Sequence, residues 1–312
     1  MPVQADWHAE KKALMGTEIS VQLWHEDAEV AQRSISAVFA EMRRIDALMS
    51  TYKDTSELSQ VNKLALDRAV VVSDELFELI HRALQFSAVT SGAFDITYAS
   101  VGQHYDFRAG QKPTTAQKRA LLASIGIANI ELNTVDRSVR FTAAGVRIDL
   151  GGIAKGYAVE SAVALLQARG IEHAIVTAGG DSRILGDHRG RPWGVGIRDP
   201  RNRQQLAAQL PLQDEAISTS GDYERYFEAD GIRYHHIIEP ATGDSARKVR
   251  SVTIIGPDAV MTDALSTGVF VLGVKKGMAL VNSLAQIEAV IIDARGVMHF
   301  SGGLQTDAVA KL

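Results

Sequence analysis

The stretch Ile148-Asp149-Leu150-Gly151-Gly152-Ile153-Ala154-Lys155-Gly156-Tyr157 determines how the rest of this 312-residue chain is interpreted. Apolar residues alternate from Val146 to Leu150 and predict a short strand, and a helix with apolar residues such as Ala158 and Leu165 follows the glycine pair. A glycine turn at a helix N-terminus brings a ligand close to bare backbone N–H groups, and Lys155 adds a positive charge. The stretch therefore predicts a phosphate cradle, with an ordinary strand-to-helix turn as the alternative.

Composition narrows the classes of protein to be considered. The 46% apolar content is enough for one large core or two modest ones. A net charge of -4 and a pI near 6.1 give no global basic field, which argues against nucleic acid as the main partner. The chain has no cysteine, so disulfides, thiolate metal sites and a cysteine nucleophile are excluded. We find no apolar run long enough to span a bilayer.

The first residues bear on where the protein works. Met1 to Trp7 lacks the charged and hydrophobic regions of a signal peptide. Val3-Gln4-Ala5, however, is similar to the small-x-small end of a cleaved signal. We therefore expect a mature exported form, and a cytosolic protein with a polar leader is the alternative.

Hydrophobic periodicity predicts an α+β protein with mixed, largely antiparallel sheets and packed helices, because strands outnumber helices and often follow each other directly. Residues 1–312 are expected to form a single unit, with a weak candidate boundary at 106–113. Helices are predicted at 26–49, at 73–92 with Ser73 as the N-cap, and at 115–124, 258–272 and 275–284. Strands are predicted at 17–24, 129–132, 138–141, 146–150, 173–178, 193–197, 205–212, 233–238, 252–255, 289–292 and 298–301.

Standard phosphate-binding fingerprints are absent. Gly151 and Gly156 have the glycine spacing of a P-loop, but Tyr157 stands where lysine is required. The stretch 194–199 lacks the third glycine of a dinucleotide fingerprint, and its alternation indicates a strand. A serine hydrolase is also disfavoured, because the chain has no Gly-x-Ser-x-Gly sequence.

Oxygen-rich segments suggest a metal site. Asp263 and Thr267 lie four residues apart on one face of a predicted helix, and such oxygen ligands suit Mg²⁺ beside a phosphate. The alternative is that Asp263 caps the helix. His235 and His236 are adjacent in a predicted strand, so only one of them can face a site. The hydroxyl-rich stretch 216–221 is interpreted as a loop that either donates to phosphate or only makes a turn.

Eight segments, taken together and in order, resemble the motifs of the ApbE family of FAD:protein FMN transferases. This resemblance covers nearly the whole chain and implies a T-fold-like architecture. Glu239 differs from the family pattern, in which aspartate is usual. The segments are Met15-Gly16-Thr17, Met49 to Tyr52 with Ser56 to Ser59 and Asn62, Gly92 to Asp95, Asp149 to Tyr157, Ala178 to Asp181, Thr219 to Tyr223, His236 to Pro240 with Thr242-Gly243, and Asp263 to Thr267.

The resemblance implies an enzyme that binds FAD and Mg²⁺, transfers the FMN moiety to a threonine or serine hydroxyl of a partner protein, and releases AMP. His236 would be the catalytic base. The metal would be held by the Gly152 carbonyl, Asp263, Thr267 and Ser266. The residues that would contact FAD are Met15, Tyr52, Ala93, Phe94, Asp95, Asp149, Lys155 and, through its backbone, Ile237.

The acceptor implied by the resemblance is a flavoprotein subunit of a membrane electron-transfer system, such as an Rnf complex, the sodium-pumping quinone reductase or a NosR-like regulator. Export to the periplasm is the implied location, and the cytoplasm is the alternative. Three other functions remain open at this point: an FAD pyrophosphatase that gives free FMN and AMP, a flavin-binding protein without turnover, and a flavin oxidoreductase.

Overall fold

A computed structural model describes residues 6–202 and 204–309, so the signal-like residues 3–5 lie outside the described part. Eight strands, numbered in chain order, form the main sheet, and every neighbouring pair in it is antiparallel. This architecture confirms the predicted α+β class with largely antiparallel pairing. The spatial order is β1 (Asp6–Leu14), β2 (Thr17–His25), β6 (Ala174–Ala178), β7 (Asp181–Leu185), β10 (Ala216–Gly221), β15 (Val249–Gly256), β16 (Glu288–Asp293) and β17 (Met298–Phe300).

Smaller sheets surround the main one. A three-stranded sheet has the order β3 (Val70–Val71), β5 (Ser138–Phe141) and β4 (Ile130–Asn133). Three two-stranded pairs are β8 (Trp193–Arg198) with β9 (Leu206–Leu212), β11 (Tyr226–Ala229) with β12 (Ile232–His235), and β13 (Ile238–Glu239) with β14 (Asp244–Ser245). The last two pairs follow β10 in the chain. His235 ends β12 and His236 lies in the connection from β12 to β13, so these pairs decide where the two side chains lie.

Eight α-helices in the described part of the chain accompany the sheets. In chain order they are α1 (Ala28–Met49), α2 (Glu57–Leu64), α3 (Asp74–Val89), α4 (Ala99–Gly102), α5 (Thr115–Leu121), α6 (Ala154–Ala168), α7 (Ala259–Val281) and α8 (Gly302–Val309). Helices α1, α6, α7 and α8 pack against the main sheet. Helix α6 packs against α1, α7 and strands β6 and β7, so the segment that leads into it lies at the centre of the fold.

Helices α1 and α3 form where the hydrophobic period predicts them. On α1, Ile35, Val38, Phe39 and Met42 are buried in the core. Burying a side chain of this size contributes about 1.5–3 kcal/mol. Ser73 caps α3 as predicted, accepting a hydrogen bond from the backbone N–H of Leu76.

Helix α7 contains a break that agrees with the prediction of two consecutive helices. Gly273 has φ of 76° and ψ of -178°, which is outside the helical region. Beside it, the ammonium group of Lys248 donates to the carbonyl of Val271 at 2.9 Å. By length and composition alone, α7 is the one described helix that could cross a membrane, so the expectation that no apolar run is long enough does not hold for this segment. Its most apolar part is more than half buried inside the protein, as expected of a core helix.

Three local predictions are wrong. Residues 146–150 form no strand; instead the side chain of Asn62 accepts from the N–H of Ile148 and donates to its carbonyl, both at 2.8 Å. Residues 216–221 are strand β10 in the main sheet rather than a loop, because their backbone pairs with β7 and β15 and their hydroxyls pair with α7 and β15. The strand predicted at 233–238 is divided, with β12 ending at His235 and β13 beginning at Ile238.

Candidate functional site

The loop before α6 is shaped by the side chain of Asp149. One carboxylate oxygen accepts from the N–H of Gly151 at 2.7 Å and from the hydroxyl of Tyr98 at 3.3 Å. The other oxygen accepts from the hydroxyl of Thr51 at 2.9 Å. Asp149 thus joins the turn after α1, the short 3-10 helix Ile96–Tyr98 that precedes α4, and the glycine pair. The adjacent Tyr52 is 86% exposed, which leaves its ring available to a ligand beside Asp149.

The helix N-terminus at α6 is not the bare anion cradle that the sequence suggests. The N–H groups of Ile153 and Ala154 donate to the carbonyl of Leu150, and that of Gly156 donates to the carboxylate of Asp263 at 2.9 Å. The prediction of free N–H groups is therefore wrong at these positions. A carboxylate from α7 already takes the place that an anion would occupy near the positive end of the helix dipole.

Gly156 explains how α7 comes so close to α6. A Cβ atom at this position would lie 2.1 Å from the carbonyl oxygen of Ala259 and 2.7 Å from Cβ of Asp263. Only glycine allows this approach without a shift of one helix. The contact brings the side chain of Asp263 against the loop before α6.

Lys155 is held between two buried carboxylates. Its ammonium group lies 2.6 Å from Asp181 and 3.4 Å from both oxygens of Asp263, and both aspartates are nearly fully buried. Burial alone would lower the pKa of Lys155, but the charges of Asp181 and Asp263 raise it well above its usual range. Burial, followed by the neighbouring charge of Asp181, raises the pKa of Asp263 to about 7. The single ammonium group of Lys155 therefore pairs with two buried carboxylates, those of Asp181 and Asp263.

Hydroxyl and backbone groups extend this acidic cluster. A Cβ atom on Gly152 would lie 3.2 Å from the hydroxyl of Thr267, so the glycine backbone lies directly against that residue. The hydroxyl of Ser220 lies 2.8 Å from that of Ser266 and 3.3 Å from that of Thr267. Ser266 also donates to the carbonyl of Asp263 at 2.8 Å. Carboxylate, hydroxyl and backbone oxygens are the donor set that Mg²⁺ prefers, so the residues present fit that ion.

The two adjacent histidines have different surroundings. The ring of His235 is hydrogen-bonded to the carbonyl of Ala246. The backbone N–H of His236 donates to the carbonyl of Arg225 at 3.1 Å, but its ring Nδ1 is buried and has no hydrogen-bond partner among the described residues. Burial lowers the pKa of His236 to about 3, and the positive charges of Arg225 and Lys155 add to this effect. His236 is therefore a neutral imidazole with a ring nitrogen that no described residue uses.

The remaining residues expected at FAD come from distant parts of the chain. Met15, with φ of 52°, is in the turn between β1 and β2. The ring of Phe94 lies 3.3 Å from a Cβ position on Gly152, which places the 93–95 segment against the glycine pair. Asp95 accepts from the N–H of Thr97 at 2.8 Å, and burial raises its pKa. The backbone carbonyl of Ile237 accepts from Ala246 at 3.0 Å.

Several residues at this site were given no role from the sequence. Asp181 lies within a quoted motif, but nothing in the sequence shows that it pairs with Lys155 or lies near Asp263. Arg225 belongs to no motif or pattern that the sequence analysis identified. Its guanidinium lies 3.2 Å from a Cβ position on Gly16, and its charge acts on both Tyr98 and His236. Arg225 therefore spans the distance between the β1–β2 turn and His236.

Comparison with known proteins agrees with this geometry. The model of the ApbE family matches residues 15–291. An FAD:protein FMN transferase from Treponema pallidum is 33% identical, over 95% of this chain and 87% of its own length. One from Vibrio cholerae is 34% identical, over 85% of this chain and 81% of its own length.

Solved structures show the same similarity. The crystal structure of the ApbE protein from Thermotoga maritima superposes with a TM-score of 0.89 at 33% identity, covering 96% of this chain and 99% of that one. The flavin transferase ApbE from Vibrio cholerae gives a TM-score of 0.86 at 28% identity, covering 97% and 99%. The chain therefore belongs to the ApbE family and is an FAD:protein FMN transferase.

Proposed function

We propose that this enzyme transfers FMN from FAD to a threonine or serine hydroxyl of its acceptor protein, with Mg²⁺ bound, and releases AMP. The observation that carries the proposal is the buried ring Nδ1 of His236, which has no hydrogen-bond partner among the described residues, in a fold that also gathers an oxygen-rich cluster around Asp263 and Lys155. A neutral imidazole can accept a proton, and the cluster can hold a cation beside a pyrophosphate.

The metal would be held by Asp263, Thr267 and the carbonyl of Gly152, with Ser266 as a further oxygen. When bound, Mg²⁺ would neutralise negative charge on the pyrophosphate of FAD. The hydroxyl of Ser220 contacts both Ser266 and Thr267, so its role would be to orient these two hydroxyls. Asp181 would hold the ammonium group of Lys155 in place through their 2.6 Å contact.

The reaction would be an in-line displacement at the FMN phosphorus of FAD. The acceptor hydroxyl oxygen forms a bond to this phosphorus while the bond to the bridging oxygen breaks, and AMP leaves with that oxygen. His236 takes the hydroxyl proton; the negative pyrophosphate of bound FAD would raise the pKa of this imidazole toward the range in which a general base contributes on the order of 10²–10⁴ in rate. Lys155 would place its charge on the pyrophosphate, where charge builds up during phosphoryl transfer.

The flavin would be bound by residues gathered around Asp149. Tyr52 has an exposed ring beside it, and Met15 lies in the turn that faces Arg225. Ala93, Phe94 and Asp95 would form the wall next to Gly152, and Ile237 would contribute a backbone group next to His236. We add Arg225 to this set, because its guanidinium has no carboxylate partner among the described ion pairs and lies close to both Tyr98 and His236.

The acceptor would be a flavoprotein subunit of a membrane electron-transfer system, of the Rnf, sodium-pumping quinone reductase or NosR-like type. We propose that transfer takes place in the periplasm. Cell fractionation of the native host with an antibody against this chain tests the location, and recovery in the cytoplasm would contradict it.

The test of the reaction is incubation with FAD, MgCl₂ and an acceptor domain chosen from the flavoproteins encoded beside this gene. Mass analysis is expected to show an FMN adduct on one threonine or serine of the acceptor and one AMP per adduct. Chelation with EDTA should stop both. Free FMN with an unmodified acceptor would instead identify a pyrophosphatase, and no AMP under any condition would indicate a binding protein without turnover.

Asp263→Ala should behave like EDTA treatment, and full transfer by this variant would contradict the metal assignment.

A further inference from the structure

A cleft of about 280 Å³ lies outside the residues assigned to FAD and the metal. We name it the arginine cleft, because its wall contains Arg201, Arg233, Arg247 and Arg250. Asp222 is the carboxylate in its lining, and His235 and Ala246 complete the base. Four guanidinium groups facing one carboxylate are unusual in a chain whose net charge is -4.

Two of these arginines are already neutralised. Arg201 makes two hydrogen bonds to Asp222, at 2.7 and 2.6 Å. Arg233 lies 3.5 Å from Asp222 and 2.9 Å from Glu228. Asp222 is itself buried, so its charge is used within the cleft wall.

The other two arginines have no such partner. Neither Arg247 nor Arg250 forms an ion pair with any carboxylate among the described residues. Arg247 lies 5.4 Å from the ring centre of Tyr234, and Arg250 lies 3.1 Å from a Cβ position on Gly296. Both are at least partly exposed. The cleft therefore presents two guanidinium groups that no described carboxylate pairs with, and guanidinium groups suit carboxylate or phosphate oxygens.

Two residues that line the arginine cleft lie within two positions of proposed catalytic-site residues in the chain. Asp222 follows the last residue of β10, the strand whose Ser220 contacts Ser266 and Thr267. His235 immediately precedes His236 in the chain, with its side chain directed to Ala246 at the cleft base. A polypeptide that presents a hydroxyl to His236 would therefore be close enough to reach the cleft with a neighbouring side chain.

We propose that the arginine cleft binds acidic side chains of the acceptor protein next to the residue that receives FMN. This inference rests on the proposed transfer to an acceptor hydroxyl. The rim favours a polypeptide over a small anion, because apolar side chains are exposed there: Tyr226 against Arg233 at 4.1 Å, and Val297 beside Gly296. No residue assigned to FAD lines the cleft, so FAD and the acidic segment can bind together.

Direct binding tests the proposal without turnover. Fluorescein-labelled hexaglutamate is titrated with the full chain and followed by fluorescence anisotropy, and hexaglutamine serves as the neutral probe. We expect binding of hexaglutamate only, weakened as NaCl rises from about 50 to about 500 mM. Arg247→Glu/Arg250→Glu should weaken binding about tenfold or more, and the milder Arg247→Gln/Arg250→Gln should fall between this variant and the unmodified protein. Arg43→Glu, at an exposed arginine of α1 remote from the cleft, is the matched control and should bind normally.

Competition assigns the bound position. Saturating FAD should leave hexaglutamate binding unchanged, and both cleft variants should retain the FAD affinity of the unmodified protein. Displacement of the peptide by FAD would place it in the flavin site and overturn the proposal. Equal binding by Arg43→Glu and Arg247→Glu/Arg250→Glu would also overturn it. If hexaglutamate fails to bind, or inorganic phosphate removes it at low millimolar concentration, the cleft is not an acidic-peptide site. None of these results depends on FMN transfer, so failure here is distinct from failure of the proposed reaction.

Discussion

His236 is the residue at which function and stability are most clearly opposed. A buried ring nitrogen without a hydrogen-bond partner costs about 1–3 kcal/mol. His236→Leu removes that atom, so we expect a variant that is at least as stable near pH 7, binds FAD normally and transfers FMN on the order of 10²–10⁴ more slowly. Isothermal titration and a transfer assay measure the two effects. Equal loss of FAD affinity and rate would make His236 a binding residue instead.

The same histidine predicts a pH dependence of stability. Its pKa is about 3 in the folded protein, compared with about 6.5 when unfolded, so the unfolded state takes up the proton first as pH falls. This contribution to stability is complete above pH 6.5 and decreases toward pH 3, reaching a loss of about 2 kcal/mol near pH 5. Thermal melts of His236→Leu should lack this component. His81→Leu, at a half-exposed histidine of α3, is the control, and an identical pH profile for both variants would contradict the assignment.

Lys155 gives a test of the metal site that does not depend on activity. Lys155→Met leaves the buried carboxylates of Asp181 and Asp263 without their cation, which should lower the free energy of unfolding by about 3–5 kcal/mol. If the cluster also binds Mg²⁺, added MgCl₂ should raise the melting temperature of this variant more than that of the unmodified protein. Differential scanning fluorimetry with and without MgCl₂ measures the difference. Lys63→Met, at an exposed position of α2, should respond like the unmodified protein, and so would Lys155→Met if no metal binds here.

At the scale of secondary-structure elements, the contact between α6 and α7 holds the site together. Gly156→Ala would place a methyl group 2.1 Å from the Ala259 carbonyl, so the helices must move apart and carry Asp263 away from the loop before α6. We expect a stability loss of about 1–3 kcal/mol and a fall in transfer rate on the order of 100-fold. Chemical denaturation and the transfer assay check both. Gly302→Ala is the control, because its nearest neighbour would be 3.7 Å away; equal behaviour of the two would mean that close packing at Gly156 is unimportant.

The elements themselves differ in how well the sequence predicts them. Helices α1 and α3 are predictable because their apolar periods and the Ser73 cap are local properties. Residues 146–150 were misassigned because the groups that a strand partner would satisfy are bonded by Asn62, 86 positions away. The many hydroxyl groups of β10 suggest a turn, yet Ser218 pairs with Thr262 and Thr219 with Thr253 inside the fold.

The candidate site shows the same division between local and distant information. Motif resemblance was enough to propose a role for Lys155 and Asp263, since each lies within a short segment that can be compared. The position of Arg225 across from Gly16 could not be foreseen, because it depends on how the β1–β2 turn meets the chain after β10, some 200 residues later. Pairing of Lys155 with Asp181 likewise exists only after β7 has joined the sheet.

At the scale of the whole molecule, the proposed FAD site collects segments from nearly the full length of the chain. It combines the β1–β2 turn, the turn after α1, the 93–95 segment, the loop before α6 and the β12–β13 connection. Binding to the folded state alone stabilises a protein by about 2.7 kcal/mol when the ligand is at 100 times its dissociation constant. Because one ligand would contact all five segments, we expect it to restrain them together.

Hydrogen–deuterium exchange with mass spectrometry measures this effect. Saturating FAD with MgCl₂ should slow amide exchange in the five segments at once, by about tenfold or more in the exposed turn around Tyr52. The β4–β5 hairpin and the β8–β9 hairpin supply no proposed contact, so their exchange should change little and they serve as internal controls. Asp149→Ala should remove the protection from all five segments, since its carboxylate joins Thr51, Tyr98 and Gly151. Protection limited to one segment, or spread equally over both hairpins, would show that FAD binds elsewhere.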